Sequence, residues 1–420
     1  MTKLKNIINL DDKKVLLSNF FSLTILQIFT YILPLLTLPY LVRVLGVEKF
    51  GLVVFAQAFI IFFNLFVDFG FNLSAVKEVS IYRDNKDKLT EIFSSVMIIK
   101  FILSIISLII LTIIVFSFDK FSSDKGLYYL TFLWVIGQAM FPIWYFQGIE
   151  KMKYITIVNI ISKIIFTILI FVVIQTPDDY IYVPLLNGLG FIVGGILSLW
   201  IIYKNFNQSF ELQEINILIK YFKESSQFFL SRVSVVIYTS ANAFVLGLFT
   251  NNIMVGYYSI AEQLYKAIQG FYQPISQVLY PYIAKERNIA LFKKLFTLIV
   301  FVNIIGIIIL YFIDSYIFDF LFTKHLGSES IQVFHILLIS SLVVVPSILL
   351  GYPFLGALGF AKYANMSVIY GSIFHLSGLG ILSIINSITI YSVAIMVIFT
   401  ELSVLSSRIY WSKRNLLWQK

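Results

Sequence analysis

Residues 44–72 read VLGVEKFGLVVFAQAFIIFFNLFVDFGFN, and residues 245–277 repeat the pattern as VLGLFTNNIMVGYYSIAEQLYKAIQGFYQPISQ. Both stretches begin with Val-Leu-Gly, and in both a later glycine precedes an alanine by five positions. These glycine and alanine pairs, Gly51 with Ala56 and Gly256 with Ala261, are 205 residues apart. Weak internal similarity of this kind is typical of transporters built from two related halves.

The same offset aligns polar residues that were not used to find the repeat. It pairs Gln57 with Glu262, Asn64 with Gln269, Asp68 with Gln273 and Asn72 with Gln277. Spacings of three, four or seven, which Lys266 also obeys, place each set on one helical face. In an apolar medium such a face must line water or a polar partner. Hydrogen bonding between helices is the alternative, but two matched stripes favour a cavity.

The composition outside the repeat is that of a polytopic membrane protein. Of 420 residues, 59% are hydrophobic and 13% are charged, and the mean hydropathy is +0.90. These are too few charges to cover a water-soluble globule. The net charge of +9 is therefore not a sign of nucleic-acid binding, since lysine and arginine must first be sorted by membrane side. The absence of cysteine excludes disulfides, thiolate metal sites and a cysteine nucleophile.

Twelve apolar runs are long enough to cross about 30 Å of hydrocarbon. They lie at 18–42, 51–76, 90–117, 127–148, 154–175, 181–203, 223–249, 254–283, 291–313, 331–356, 363–385 and 387–410. We therefore predict an all-α fold with an N-terminal six-helix bundle at 1–203, a cytoplasmic linker at 204–222 and a C-terminal six-helix bundle at 223–420. Since six is even, a pseudo-two-fold axis along the membrane normal should relate the bundles. The linker is either an amphipathic helix on the inner surface or a solvated tether.

Basic residues indicate the orientation of the helices. With both termini in the cytoplasm, 22 of the 31 lysines and arginines, including Arg408, fall in inner segments and five in outer loops. The positive-inside rule thus favours cytoplasmic termini and an even helix number. The remaining four basic residues lie inside predicted helices: Lys100, Lys163, Arg232 and Lys266.

These intramembrane cations differ in depth. Arg232 and Lys266 lie about 14 and 18 Å along their helices, where an isolated cation costs at least a few kcal/mol and needs a carboxylate, water or an anionic ligand. Arg232 has no carboxylate nearby in the sequence and is therefore a ligand candidate. For Lys266, a ligand role and an ion pair with Glu262, one helical turn away, are about equally supported. We interpret Lys100 and Lys163 as snorkelling towards the cytoplasmic surface.

Asp68 is too short to snorkel, because it lies about 12 Å from the inner end of its helix. It must be neutral, paired or hydrated, which suits a proton or cation coupling site, with pairing to Arg232 as the structural alternative. His335 and His375 are isolated membrane histidines without metal-ligand spacing, and for both of them hydrogen-bonded packing is favoured over proton relay. No P-loop, HExxH or GxSxG motif is present, so we expect no cofactor, metal or enzymatic activity, and energy must come from a gradient or a partner.

Three stretches resemble a known family. They are LPYLVRVLG at 38–46, DFGFNLSA at 68–75 and PIWYFQGIEKM at 142–152. Together they resemble the Wzx-type flippases of the multidrug/oligosaccharidyl-lipid/polysaccharide exporter superfamily. The resemblance implies an undecaprenyl-pyrophosphate-linked oligosaccharide as substrate, translocation by alternating access for O-antigen or another surface polysaccharide, and a multi-pass location in the bacterial inner membrane.

A flippase hypothesis assigns roles to the polar stripes, because diphosphates attract Arg and Lys. Arg232 and Lys266 would hold the pyrophosphate, Gln269, Gln273, Asn64 and Asn72 would contact sugar, and Asp68 or Glu262 would couple a proton or sodium gradient. Membrane lipids and a polysaccharide polymerase complex are further expected partners. The first alternative is a cation-coupled multidrug exporter of the same superfamily. A membrane-embedded polysaccharide polymerase is disfavoured, since the longest outer loop, about 314–330, carries one lysine.

Overall fold

The computed structural model describes residues 10–322, 327–415 and 417, with the backbone alone for 10–18, 20, 23, 230–232, 234, 235 and 237–239. Within these ranges every regular element is helical. The α-helices are α1 Leu10–Asp68, α2 Phe71–Ile81, α3 Lys86–Ser117, α4 Asp119–Ser122, α5 Lys125–Met140, α6 Ile143–Gly148, α7 Met152–Val173, α8 Tyr182–Asn205, α9 Ile215–Phe249, α10 Asn252–Gly270, α11 Tyr272–Glu286, α12 Ile289–Leu321, α13 Ser328–Leu349, α14 Ala361–Ile384 and α15 Ile390–Arg414. A 3₁₀ turn, Pro177–Ile181, precedes α8, and a π-helical segment, Leu350–Phe360, joins α13 to α14.

Eight helical ranges in the described part of the chain are long and apolar enough to cross a membrane. Two of them, Thr24–Ile81 and Ser328–Ile384, have 58 and 57 residues, more than twice the roughly 20 that one crossing needs. Each of these two ranges is broken internally, and α9 and the α10–α11 pair lie outside the eight. The predicted all-α polytopic membrane fold is confirmed, and twelve membrane helices are consistent with it.

Glycines make the breaks. Gly46 has φ 72° and ψ 166° in the middle of α1, and this region of backbone conformation is accessible almost only to glycine. The break lies between the predicted first and second membrane helices. A second break, at Phe69 and Gly70 with φ values of 44° and 80°, separates α1 from α2. The predicted helix at 51–76 is therefore two helices in the structure.

Contacts divide the chain into two compact units. Unit 1 comprises the residues up to Thr37 together with Phe59–Arg232, and unit 2 comprises Leu38–Ala58 and Val233–Lys420. The predicted domain boundaries at 203 and 223 stay a prediction.

The two glycines of the internal repeat explain why part of α1 belongs to unit 2. A Cβ on Gly51 would overlap the carbonyl oxygen of Asn252, and a Cβ on Gly256 would overlap that of Val47. The repeated stretches therefore pack against each other through their glycines, at a backbone separation that a larger side chain would prevent.

Aromatic side chains fill the core of each unit. In unit 1, Trp144, Tyr145 and Phe146 of the PIWYFQG motif are almost fully buried. In unit 2, the rings of Phe292 and Phe354 stack with centroids 4.6 Å apart. These large apolar groups make each unit a packed helical body.

The connection from α8 to α9 is fastened to unit 1. Gln208 is buried, donates through Nε2 to Thr90 Oγ1 at 2.7 Å and accepts from the Tyr145 hydroxyl at 3.1 Å. The backbone N–H of Glu211 donates to Ser94 Oγ at 3.0 Å. Residues from Ile215 onward already belong to α9. The first part of the linker is thus held against unit 1, and its last residues form the start of α9.

Candidate functional site

A cavity of about 240 Å³ lies within unit 2 and is lined by α9, α10, α13, α14 and α15. Its polar lining residues are Asn242, Tyr258, Glu262, Tyr265, Lys266, Gln269, Ser347, His375, Glu401 and Arg408. Valine, leucine and isoleucine side chains complete the wall. Four charged groups around one cavity are unusual inside membrane helices, where each charge carries a desolvation cost.

Helix α10 supplies one wall through Glu262, Lys266 and Gln269. Their spacing of four and three residues puts them on one helical face. Lys266 Nζ lies 2.8 Å from Glu262 Oε2, with side-chain exposures of 45% and 14%. This helix thus presents three members of the predicted stripe to the cavity. Gln273 lies on α11, is exposed and is not part of the lining.

Arg408 is buried among α13, α14 and α15. Its Nη1 donates to the carbonyl oxygen and to Oγ of Ser347 at 2.5 and 3.0 Å, and its Nε donates to Ser367 Oγ at 2.9 Å. A Cβ on Gly351, where the helix breaks with ψ −118°, would lie 3.0 Å from Nη1. Arg408, which the sequence placed among the cytoplasmic charges, is thus a buried residue whose guanidinium joins three helices at a break.

Glu401 lies seven residues before Arg408 on α15, so both side chains share a face. Glu401 is half-buried and interacts electrostatically with Arg408. Glu401 is a site residue that the hydropathy pattern did not predict. The signal was present, since two opposite charges at a helical spacing of seven interrupt an apolar run.

A chain of neutral polar groups runs beside the charges. His375 Nε2 lies 2.9 Å from Asn242 Oδ1 and His375 Nδ1 lies 2.8 Å from Thr400 Oγ1, while Asn242 Nδ2 donates to the Tyr258 hydroxyl at 2.9 Å. All four side chains are buried. The hydrogen-bonded environment agrees with the packing role expected for His375.

The remaining predicted site residues with described side chains lie in unit 1. Lys100 Nζ of α3 lies 3.4 Å from Asp68 Oδ1, and Asn72 Nδ2 of α2 donates to the same oxygen at 2.6 Å. Lys100 is 3% exposed. Its predicted snorkelling is therefore wrong, and Asp68 is paired, with Lys100. Asn64 is half-buried on α1.

Arg232 lies on α9, and its side chain is outside the described residues. Its ligand role stays a prediction. The structure thus brings Glu262, Lys266 and Gln269 together in unit 2, and Asp68 and Asn72 together in unit 1.

A family model described as "Polysaccharide biosynthesis protein" matches residues 16–287. A protein of Escherichia coli (strain K12) named "Putative O-antigen transporter" is 31% identical over 293 residues, which cover 68% of this chain and 70% of that protein.

Two solved structures share the fold. The lipid II flippase MurJ in an inward closed conformation matches with a TM-score of 0.72 and 18% identity, over 93% of this chain and 87% of MurJ. An outward-facing multidrug resistance MATE family transporter of the MOP superfamily matches with a TM-score of 0.60 and 14% identity, over 94% and 95% of the two chains.

Proposed function

Because the chain belongs to the polysaccharide biosynthesis protein family, we propose that it is a flippase for lipid-linked oligosaccharides. Its substrate would be an undecaprenyl-diphosphate-linked repeat unit of O-antigen or of another surface polysaccharide. The protein carries this lipid from the cytoplasmic to the periplasmic leaflet of the bacterial inner membrane by alternating access. Both termini face the cytoplasm, and a polysaccharide polymerase complex receives the product. The similarity to the Escherichia coli protein named "Putative O-antigen transporter" supports this substrate class.

The observation that carries the proposal is the charged cavity of unit 2. Two carboxylates, an ammonium and a guanidinium line about 240 Å³ inside a membrane protein. Charges of this kind are retained in membrane helices where they bind ions or polar substrate groups. A cavity of this size has room for water or a partly hydrated ion.

Glu262 and Lys266 provide a route for coupling. While Glu262 is ionised, its carboxylate neutralises the ammonium of Lys266 at 2.8 Å. A proton or sodium ion on Glu262 releases Lys266, whose exposed ammonium then attracts a diphosphate oxygen. Binding of a cation at Glu262 and binding of the diphosphate at Lys266 are therefore linked, and the linkage is reciprocal.

The other polar residues complete the proposed site. Arg232 contributes the second positive charge to the diphosphate. Gln269, Gln273, Asn64 and Asn72 donate to and accept from sugar hydroxyls. Asp68, the second coupling candidate, would have to exchange Lys100 for an incoming cation.

Deleting the gene in its host bacterium tests this function. We expect surface polysaccharide to be lost and lipid-linked repeat units to accumulate on the cytoplasmic leaflet. The wild-type gene should restore both. Lys266→Met should lower surface polysaccharide at least about tenfold, because a charged hydrogen bond contributes about 1.5–3 kcal/mol.

The same deletion strain distinguishes the alternatives. Unchanged surface polysaccharide together with sensitivity to a panel of cationic drugs would refute the flippase and indicate a multidrug exporter. Immunoblotting of the membrane fraction controls for the amount of each variant.

A further inference from the structure

Three hydrogen-bonded contacts within unit 1 join α1 to α7 or to the turn that precedes α7. Asn19 Nδ2 donates to Glu150 O at 3.1 Å, Thr156 Oγ1 to Ser22 O at 2.9 Å, and Lys163 Nζ to Thr30 Oγ1 at 2.8 Å. The partners advance along both chain segments in the same direction, so the two helices run parallel. The first two contacts use neutral groups alone, whereas the third contains a charge.

Lys163 lies at the middle of α7, a helix long and apolar enough to cross a membrane. It is residue 12 of the 22 in α7, so it is about 15–17 Å from either helix end. A lysine side chain cannot bring its ammonium to water over that distance, and the predicted snorkelling is wrong. The ammonium instead contacts the hydroxyl of Thr30, which donates its own proton to Leu26 O at 2.8 Å.

Lys163 differs from the other described cations of the membrane helices. Lys100 has Asp68, Lys266 has Glu262, and Arg408 has the charge of Glu401 together with two serines. Among the residues that the structure describes, no carboxylate lies within ion-pair distance of Lys163 Nζ. An uncompensated cation at this depth costs a few kcal/mol, and a tie between two helices does not need a charge.

We propose that Lys163, together with Thr30, is a binding site for the diphosphate group of the lipid carrier. This inference rests on the proposed flippase function and adds a contact in unit 1. The ammonium has three N–H donors, and Thr30 accepts one, which leaves two for phosphate oxygens. The side chain is half-exposed, so a ligand can reach it. Lys163 thus supplies positive charge to a ligand that brings its own negative charge.

Binding of two lipids to the purified full-length protein in nanodiscs tests the site. The probes are undecaprenyl diphosphate and undecaprenol, which differ only in the charged group. We expect Lys163→Met to weaken diphosphate binding at least about tenfold, as loss of a charged hydrogen bond predicts. Binding of undecaprenol should not change. Lys163→Arg should stay within about threefold of wild type, because it keeps the charge.

Two further variants separate a ligand role from a structural one. Lys163→Gln keeps a hydrogen-bond donor for Thr30 without the charge, so it should bind the diphosphate as poorly as Lys163→Met. Lys153→Met removes an exposed lysine at the start of the same helix and should bind both lipids like wild type. If Lys163→Gln binds like wild type, the lysine is a structural tie and the inference is refuted.

The experiment also distinguishes this inference from the proposed function. If wild type prefers the diphosphate and Lys163→Met retains that preference, the inference fails while the flippase function stands. If wild type binds the two lipids equally, the function and the inference fail together. If a variant melts more than a few degrees below wild type, Lys163→Arg is used in its place, with inorganic monophosphate and diphosphate as competitors for the lipid. We expect both competitors to displace the lipid from Lys163→Arg as they do from wild type. Loss of the preference for diphosphate in Lys163→Arg would refute the inference.

Discussion

Two acid–lysine pairs, Lys100 with Asp68 and Lys266 with Glu262, are built differently. In unit 1, Lys100 of α3 reaches Asp68 of α1 at 3.4 Å and is 3% exposed. In unit 2, Lys266 and Glu262 are one turn apart on α10 at 2.8 Å, and Lys266 is 45% exposed. The first pair joins two helices and is enclosed, whereas the second is held by one helix and opens to a cavity. A pair of the first kind stabilises the fold, and a pair of the second kind is free to exchange partners.

Removing the cation of the enclosed pair should have the largest effect on stability. Lys100→Met leaves Asp68 with its hydrogen bond from Asn72 but without a counter-charge. We expect the free energy of unfolding to fall by about 3–5 kcal/mol, as for other buried pairs that lose one partner. Unfolding of the purified protein in mixed micelles measures this change. The double variant Lys100→Met with Asp68→Asn should recover most of the loss, and failure to recover it would contradict a pairing role.

Arg408 extends the comparison to an enclosed cation of unit 2. Arg408→Lys keeps the charge but cannot reproduce the contacts to both Ser347 and Ser367. Losing one or two hydrogen bonds to a charged group should lower the free energy of unfolding by about 1–3 kcal/mol. Arg414→Lys is the matched control, because Arg414 is exposed near the end of the same helix. Equal unfolding curves for the two variants would show that the buried contacts do not stabilise unit 2.

Glu262→Gln should have the smallest effect on stability, because a pair four residues apart on one helix contributes about 0.2–0.5 kcal/mol. Its effect on transport should be large. We expect Lys266 to remain released, so that diphosphate binding persists while transport no longer depends on the proton or sodium gradient. Unfolding and gradient-dependent transport are measured on the same preparation. A loss of stability as great as that of Lys100→Met would contradict an open, exchangeable pair.

The polar face of α10 shows what helical periodicity can predict. Glu262, Lys266 and Gln269 were expected on one side of a helix, and they line one cavity. The repeat also identified Gly51 and Gly256, which pack against each other. Both results follow from helical periodicity, because the spacing of residues in the sequence determines which side chains share a helical face.

Arg408 and Glu401 show where the same reasoning stops. The predicted last helix ended at 410, which placed Arg408 in a terminal turn with the cytoplasmic charges. The helix continues to Arg414, and its neighbours α13 and α14 cover the guanidinium. Hydropathy reports that a residue lies in a helix, but burial depends on which other helices pack on that face.

The amino-acid sequence was sufficient for the membrane class and for the face of α10 that carries polar groups. Apolar run length and helical period are local properties, and the bilayer imposes them on every segment alike. The partner of each charge was decided by the tertiary structure. Asp68 meets Lys100, and Lys163 meets Thr30, which lies 133 residues earlier in the chain. An ion pair requires two atoms within about 4 Å, and helix packing brings together groups that sequence separation keeps far apart.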